Sequence, residues 1–334
     1  MRFSSGLLAA LLVAGMATAC APDKPPAGVA TEPPSISASA DRLMEDVRIL
    51  SADDMQGRLI GSEGGLKARA YILERLAGIG VAPAIGDSFE HSFTVKRGGK
   101  DAVGANLIGV VPGTGGSDRA LVLMAHYDHV GMQGGQIYNG ADDNASGVAT
   151  LLAVAESLKR QAPLHDVIFA LVDGEERGSS PGEGGMAGSG AMVADPAFRP
   201  FLDRTVLAVN LDMVSRSDRN ELYAAGAFHS PALRPYLEQI SAAAPVTLKL
   251  GHDDPALGKD DWTTQSDHMA FHQIGKTWVY FGVEDHPDYH QPTDDFGAIP
   301  QDFFRRSAAT VEQAVRVFDQ NLDSMALKSG ASVP

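Results

Sequence analysis

The sequence predicts an α/β fold, a mostly parallel central sheet with helices on both faces. Three observations carry this expectation. Short apolar β-type runs alternate along the chain with segments of helical spacing, as in strand–helix–strand units. The runs ALVLMA, VIFALV, VLAVNL and TWVYFG are apolar almost without interruption, as strands buried on both faces must be. Residues able to do chemistry fall just after those runs, where open α/β sheets build their sites.

With 334 residues, 44% of them hydrophobic, the chain can bury a sizeable core. No linker breaks residues 39–326, which read as one domain. A net charge of −15 argues against nucleic acid or an anionic membrane surface as partner. Residues 1–20 have the pattern of a lipoprotein-type signal peptide. Arg2 supplies positive charge, Leu7 to Ala14 form an apolar run too short to span a bilayer, and Ala17-Thr18-Ala19 precede Cys20. Cys20 is the chain's only cysteine, so no intrachain disulfide forms and lipidation would give it a role. Plain secretion with cleavage after Ala19 is the alternative. Either way the protein is expected outside the cytoplasm, periplasmic or in the cell envelope, with membrane contact only through a lipid on Cys20. Residues 21–38, rich in Pro, Ala and Ser, read as a flexible linker, and residues 327–334 as a tail.

Helical spacing marks Ala40 to Leu50 and Gly65 to Leu76. The glycine-rich stretch from Gly57 to Gly65 between them lacks the GK[ST] ending of a phosphate loop and follows no strand, so it reads as a structural loop. Strands are expected at Glu90 to Val95, Asn106 to Val111, Ala120 to Met124 and Asp166 to Val172, with a helix from Val148 to Leu158. Gly174 to Gly190 reads as a loop. Strands follow at Val206 to Leu211, Glu221 to Ala225, Thr247 to Leu250 and Thr277 to Phe281. Helices are expected at Pro231 to Ala242, near Asp267 to His272, and from Gln301 to about Leu322.

The ends of the four most apolar strands carry the candidate site. ALVLMA ends in His126 and Asp128, with Asp142-Asp143 in the loop beyond. VIFALV runs toward Glu175-Glu176, VLAVNL ends at Asp212, and TWVYFG leads to His286, Asp288 and His290. The carboxyl ends of parallel strands share one edge, so these residues can converge although distant in sequence. Imidazoles and carboxylates gathered there suit a two-metal site of zinc type.

The order and context of these fragments resemble the M28 family of co-catalytic zinc exopeptidases. The likeness rests on His126-x-Asp128, the run Gly140-Ala141-Asp142-Asp143-Asn144-Ala145-Ser146-Gly147, Glu175-Glu176, Asn210-Leu211-Asp212-Met213 and Asp288-Tyr289-His290. It implies the zinc-exopeptidase (phosphorylase/hydrolase-like) architecture and two Zn2+ per chain. His126 and Asp212 would hold one ion, Glu176 and His290 the other, and Asp143 would bridge them. Asp128 would accept the second ring N–H of His126 and fix its tautomer. Glu175 would be the general base for metal-bound hydroxide attacking a peptide carbonyl, and a peptide with a free N-terminus the substrate. The implied enzyme is an aminopeptidase.

Other residues have plainer readings. Asp142 shapes the turn. His286 competes with His290, which is preferred because it follows Asp288-Tyr289 and has Asp294 four residues on as support. Asp267 reads as a helix cap. His129, His272 and the aspartates around Asp260 read as surface or pocket-rim residues, and Trp262, Trp278 and Phe281 as core or pocket wall. The Arg177 to Ala187 loop is longer than the corresponding link in the family. Two rival functions remain: a glutaminyl-cyclase-like, single-zinc acyltransferase on the same scaffold, and a lipoprotein keeping the fold as a non-catalytic binding module.

Overall fold

The structure, a computed structural model, describes residues 1, 40–176 and 185–327. The signal segment with Cys20, the linker at 21–38, the 177–184 part of the long loop, and tail residues 328–334 lie outside the described residues. The described helices and strands belong to one compact unit within Pro34–Pro334. Among the described residues no helix is long and apolar enough to cross a membrane.

The elements run α1 (Ala40–Leu50), α2 (Glu63–Ile79), β1 (Ala82–Pro83), β2 (Glu90–Arg97), β3 (Lys100–Val111), β4 (Ala120–His126), and the small pair β5 (Met132–Gln133) and β6 (Gln136–Ile137). Then come α3 (Gly147–Arg160), β7 (Asp166–Val172), α4 (Ala187–Ala194), α5 (Arg199–Arg204), β8 (Thr205–Leu211) and β9 (Glu221–Ala225). The chain closes with α6 (Arg234–Ala243), β10 (Thr247–Leu250), α7 (His268–Gln273), β11 (Thr277–Gly282) and α8 (Gln301–Asn321).

One 9-stranded sheet has the order β1-β3-β7-β4-β8-β11-β9-β10, with β2 paired to β3. Its centre, β7-β4-β8-β11, is parallel throughout, as expected from those four apolar runs. The flanks attach antiparallel, β3 on β7 and β9 on β11. Alternate strand residues feed two cores. Leu121, Leu123, Phe169, Leu207, Val209 and Phe281 pack under the layer containing α1, α2, α3, α6 and α8. Val122, Met124, Ile168, Ala208, Trp278 and Tyr280 pack against Met192 of α4, Phe198 and Leu202 beside and in α5, and Ala270 and Phe271 of α7. Burial on both faces explains why the central strands lack polar alternation.

The chain leaves β4, crosses through α3 to β7 on one side, and returns to β8 on the other. The end of β4 is therefore a topological switch point, which opens a crevice at the carboxyl ends of the strands.

Two departures from the expected elements stand out. Residues 187–190, read as loop, begin α4, and α5 carries no sequence pattern that predicted it. Gly188, Ser189 and Gly190 give the first turn of α4 little helical propensity, and tertiary packing supplies what propensity does not. At Gly188 a Cβ would lie 2.1 Å from Asp173 O, so only glycine lets α4 approach the end of β7 so closely.

Asp173 ties three strands together. Its Oδ2 accepts the Tyr127 hydroxyl (2.9 Å) and the Ala105 amide (3.1 Å). Burial, with the charge of Asp128, pushes its carboxyl up to about 7. A carboxyl raised in the folded state favours folding below its unfolded value and loses that contribution as pH rises toward 7. The Asp173→Asn variant is therefore expected to gain on the wild type between pH 4.5 and 7.5, by about 1 kcal/mol or more. Urea midpoints at both pH values, with divalent metal saturating, measure this. A pH-independent difference contradicts it.

Candidate metal centre

The end of β4 delivers His126, and the loop beyond it turns back across the strand end. Residues 139–143 of that loop are clamped from two sides. Arg58, wholly buried, donates to the backbone oxygens of Tyr127 (2.8 Å), Leu50 (2.7 Å), Asn139 (2.5 Å), Gly140 (2.9 Å) and Asp143 (3.3 Å). Asp294 takes the opposite polarity: its carboxylate accepts the amides of Asp142 (3.0 Å) and Asp143 (3.1 Å). A guanidinium on the carbonyls and a carboxylate on the amides leave this stretch little freedom.

The next four residues stitch the loop to the end of β8. Asn144 donates to Leu211 O (2.9 Å) and accepts the amides of Gly147 (3.0 Å) and Met213 (3.2 Å). The Ser146 hydroxyl accepts from Val214 N (3.1 Å). Asp142 accepts the Ser215 amide and hydroxyl, both at 2.7 Å, and His286 Nε2 lies 3.1 Å from its other oxygen. Asp142 and His286 are thus engaged with each other.

Two groups of donor atoms face one another across Asp143. His126, Asp143 and Asp212 form the first; His129, Asp143, Glu176 and His290 form the second. In the first, His126 Nε2 lies 3.3 Å from Asp143 Oδ1 and 3.1 Å from Asp212 Oδ1. In the second, His290 Nε2 lies 3.0 Å from Asp143 Oδ2 and 3.3 Å from Glu176 Oε1. The two oxygens of Asp143 therefore serve different groups. Zinc bonds near 2.0–2.1 Å in a tetrahedron put neighbouring ligand atoms about 3.3 Å apart. The observed separations scatter around that edge length. Buried Glu176 Oε1 and His290 Nε2 also lack an aligned hydrogen-bond partner, which costs stability unless something else meets them. The residues present fit a pair of divalent cations.

Electrostatics supports the fit. Burial raises Asp143, yet the imidazoles of His129, His126 and His290 hold it well below the usual carboxylate range. Glu176 is lowered to about 2 against burial and the charge of Asp143, by His129 and His290. His290 is pushed up to about 11, against burial, by Asp143 and Glu176. Without cations, protonated imidazoles balance the carboxylates; with cations bound they would be neutral donors.

Glu175 stands apart. Burial, then the charges of Asp212, Glu176 and Asp267, outweigh His126 and hold its carboxyl well above the usual range. A buried carboxyl raised in this way holds a proton more readily than an ordinary glutamate, as a group that takes and passes on a proton must.

The five expected donors, His126, Asp143, Glu176, Asp212 and His290, thus come together, and Glu175 lies beside them. Asp128 takes a further part beside the expected one, its carboxylate lying 3.6 Å from His126 Nδ1. Its oxygens accept the amides of Glu175 (3.0 Å) and Glu176 (3.2 Å), so it positions that pair. His126 Nδ1 is nearer the Asp128 backbone oxygen (3.2 Å) than its carboxylate (3.6 Å). A strand that ends and turns back presents its carbonyl to the ring and frees the side chain for the neighbouring loop. Asp294 supports the Asp143 loop instead of His290.

Three residues sit otherwise than the sequence suggests. His129 is fully buried, not at the rim, with Nδ1 2.8 Å from Glu176 Oε1 and 3.7 Å from Asp143 Oδ2. Asp267 makes no cap bond to α7; both its oxygens are buried without an aligned partner, and burial raises it to about 7. Arg58, in a stretch read only as a loop, reaches the centre from outside the four strands. The available signal was charge in apolar surroundings: His129 three residues past His126, and Arg58 between glycine and Leu59-Ile60.

The model of peptidase family M28 matches residues 106–315, which include all the donors. Aminopeptidase YwaD of Bacillus subtilis (strain 168) is 29% identical over 201 residues, 58% of this chain and 40% of that protein. The matched region thus spans less than half of that relative's length. Among solved structures, glutaminyl cyclase from an Acidobacteriales bacterium superposes with a TM-score of 0.70 at 18% identity, covering 88% of this chain and 99% of the other. A Zn-dependent exopeptidase from Parabacteroides distasonis ATCC 8503 gives 0.62 at 16% identity, covering 83% and 97%. At such identities the likeness shows the fold alone.

Arg58→Met would leave five backbone oxygens without their donor, an expected cost of about 3 kcal/mol or more. Urea unfolding at pH 7 measures it, and a loss under about 1 kcal/mol would mean the clamp carries no weight.

Proposed function

The chain belongs to peptidase family M28, and on that premise we propose that it is an exported dinuclear zinc aminopeptidase. One observation carries the reading: two buried donor groups share the two oxygens of Asp143. His126 and Asp212 would hold one ion, Glu176 and His290 the other. The ions would act as Lewis acids that polarise a carbonyl and acidify water.

The chain's own groups do the rest. Asp128 fixes the backbone of Glu175 and Glu176 through their amides, so both side chains keep one register relative to the donors. Glu175 is suited to take the proton of the attacking water on its carboxylate and hand it to the leaving amine. Excess carboxylate charge suits a protonated α-amino terminus, which supports a free N-terminus as the recognised end of the substrate. His290, whose side chain is 37% exposed while the other donors are nearly covered, marks the open side of the crevice.

The matched aminopeptidase supports this reading over the binding-module alternative, as does a buried glutamate with a raised carboxyl and no ligand contact. Single-zinc acyl transfer is the second reading, favoured by the fold likeness to glutaminyl cyclases. The first donor group weighs against it, because three buried donors there would serve no ion.

Glu175→Gln is expected to keep its bound zinc and lose hydrolysis of free-amine dipeptides by about 10²–10⁴-fold. Metal content with single-turnover assays tests this, and near-wild-type rates would remove Glu175 from the chemistry. N-acetylation of the same dipeptides should abolish cleavage, whereas cyclisation of glutaminyl peptides without hydrolysis would select the cyclase reading. Export with a lipid on Cys20 rests on the sequence pattern of residues 1–20. Cys20→Ala should move the protein from membrane to soluble fractions, and an unchanged distribution contradicts the anchor.

A further inference from the structure

Resting on the dinuclear reading, we propose that His129 is itself a ligand of the Glu176/His290 cation. That position then has four protein donors, and the His126/Asp212 position, with three, is the open one.

Four observations lead there. The His129, Asp143, Glu176 and His290 donor atoms all lie within 4.8 Å of one another. His129 is 0% exposed, and neither ring nitrogen has an aligned hydrogen-bond partner, although Nδ1 is 2.8 Å from Glu176 Oε1. A buried imidazole left so is costly unless an unseen partner meets it. The separations of Nδ1 from Glu176 Oε1 and from Asp143 Oδ2 (3.7 Å) bracket the ~3.3 Å edge of a zinc tetrahedron. Finally, the loop makes room for the ring. Gly140 has φ +57°, and a Cβ there would lie 2.6 Å from His129 Cγ and Cδ2 and 2.0 Å from Asp143 O. Only glycine lets His129 and Asp143 approach the same point.

The consequence is asymmetry. Zinc with four protein ligands is closed and serves structure, whereas catalytic zinc keeps a position free. His129 would make the Glu176/His290 ion the tightly held one and leave the open coordination direction on the β4–β8 side, beside Asp212. The rival account is a hydrogen bond from His129 that merely orients Glu176.

Cobalt(II) titration of metal-free full-length protein, followed by visible absorption and calorimetry, separates the two. Wild type should take two equivalents. His129→Ala should weaken one by about 100-fold or more and leave the other unchanged. His129→Cys should recover much of that affinity and add a thiolate-to-cobalt charge-transfer band absent from wild type, which carries the same Cys20. A cysteine sulfur reaches a metal near the point that Nδ1 reaches, because both donors lie close to Cβ. Orientation through a hydrogen bond cannot produce that band. Both affinities within about threefold of wild type in His129→Ala, or cobalt binding by His129→Cys without the band, would overturn the proposal. Should His129→Ala fail to fold by circular dichroism, the cysteine variant decides alone. Wild type binding fewer than two equivalents would overturn the dinuclear reading and this one with it. Two equivalents in wild type with unaltered His129→Ala overturns only the role of His129.

Discussion

Asp143 is a carboxylate held out of water among other carboxylates, and much of the surrounding structure answers to that. Glu176 and Asp212 lie in its two donor groups, the charges of Asp212 and Glu176 act on Glu175, and Asp128, Asp142, Asp267 and Asp294 are buried as well. Each buried charge carries a desolvation penalty of several kcal/mol, and like charges add to it. The fold meets the penalty locally: imidazoles face the carboxylates of the centre, backbone amides face Asp128 and Asp294, and the Arg58 guanidinium sits among backbone oxygens. A pair of divalent ions would complete the balance that protonated imidazoles otherwise supply.

The sheet makes such crowding possible. Each of the four parallel central strands ends at the same edge, and β4 sits between the next two long strands of the chain, β7 and β8. Residues separated by more than a hundred positions meet because strand ends meet. The antiparallel flanks take no part in presenting donors, yet β3 contributes Ala105, whose amide helps hold Asp173 beside the glutamate turn. Rigidity comes from the clamp on residues 139–143 and from Asn144 and Ser146, which bind the loop to β8.

The central strands, the long helices and the five donors were legible in the sequence because each obeys a local rule. A strand buried on both faces has no polar alternation, and a donor at its end interrupts an apolar run visibly. The elements that escaped are those without a local rule. α4 opens on Gly188, Ser189 and Gly190, which are weak in helical propensity, and forms because Gly188 permits close packing on β7. Arg58 belongs to a glycine-rich stretch that read only as a structural loop, and its importance lies in carbonyls as far along the chain as Asp143. His129 comes after His126 in a strand-end stretch where its neighbour already explained the pattern, and Asp267 had an adequate reading as a cap.

Sequence alone determined the fold class, the parallel centre of the sheet and the identity of the residues that converge, since hydrophobic periodicity and strand-end chemistry are written residue by residue. Tertiary structure decided how those residues divide. It set Asp128 on the amides of the glutamates, paired His286 with Asp142 and left His290 at the centre. It also brought Arg58 and His129 inward, through contacts between segments that no spacing along the chain encodes. The physical reason is that burial and hydrogen-bond direction depend on which loops share a volume, and only the packed sheet fixes that.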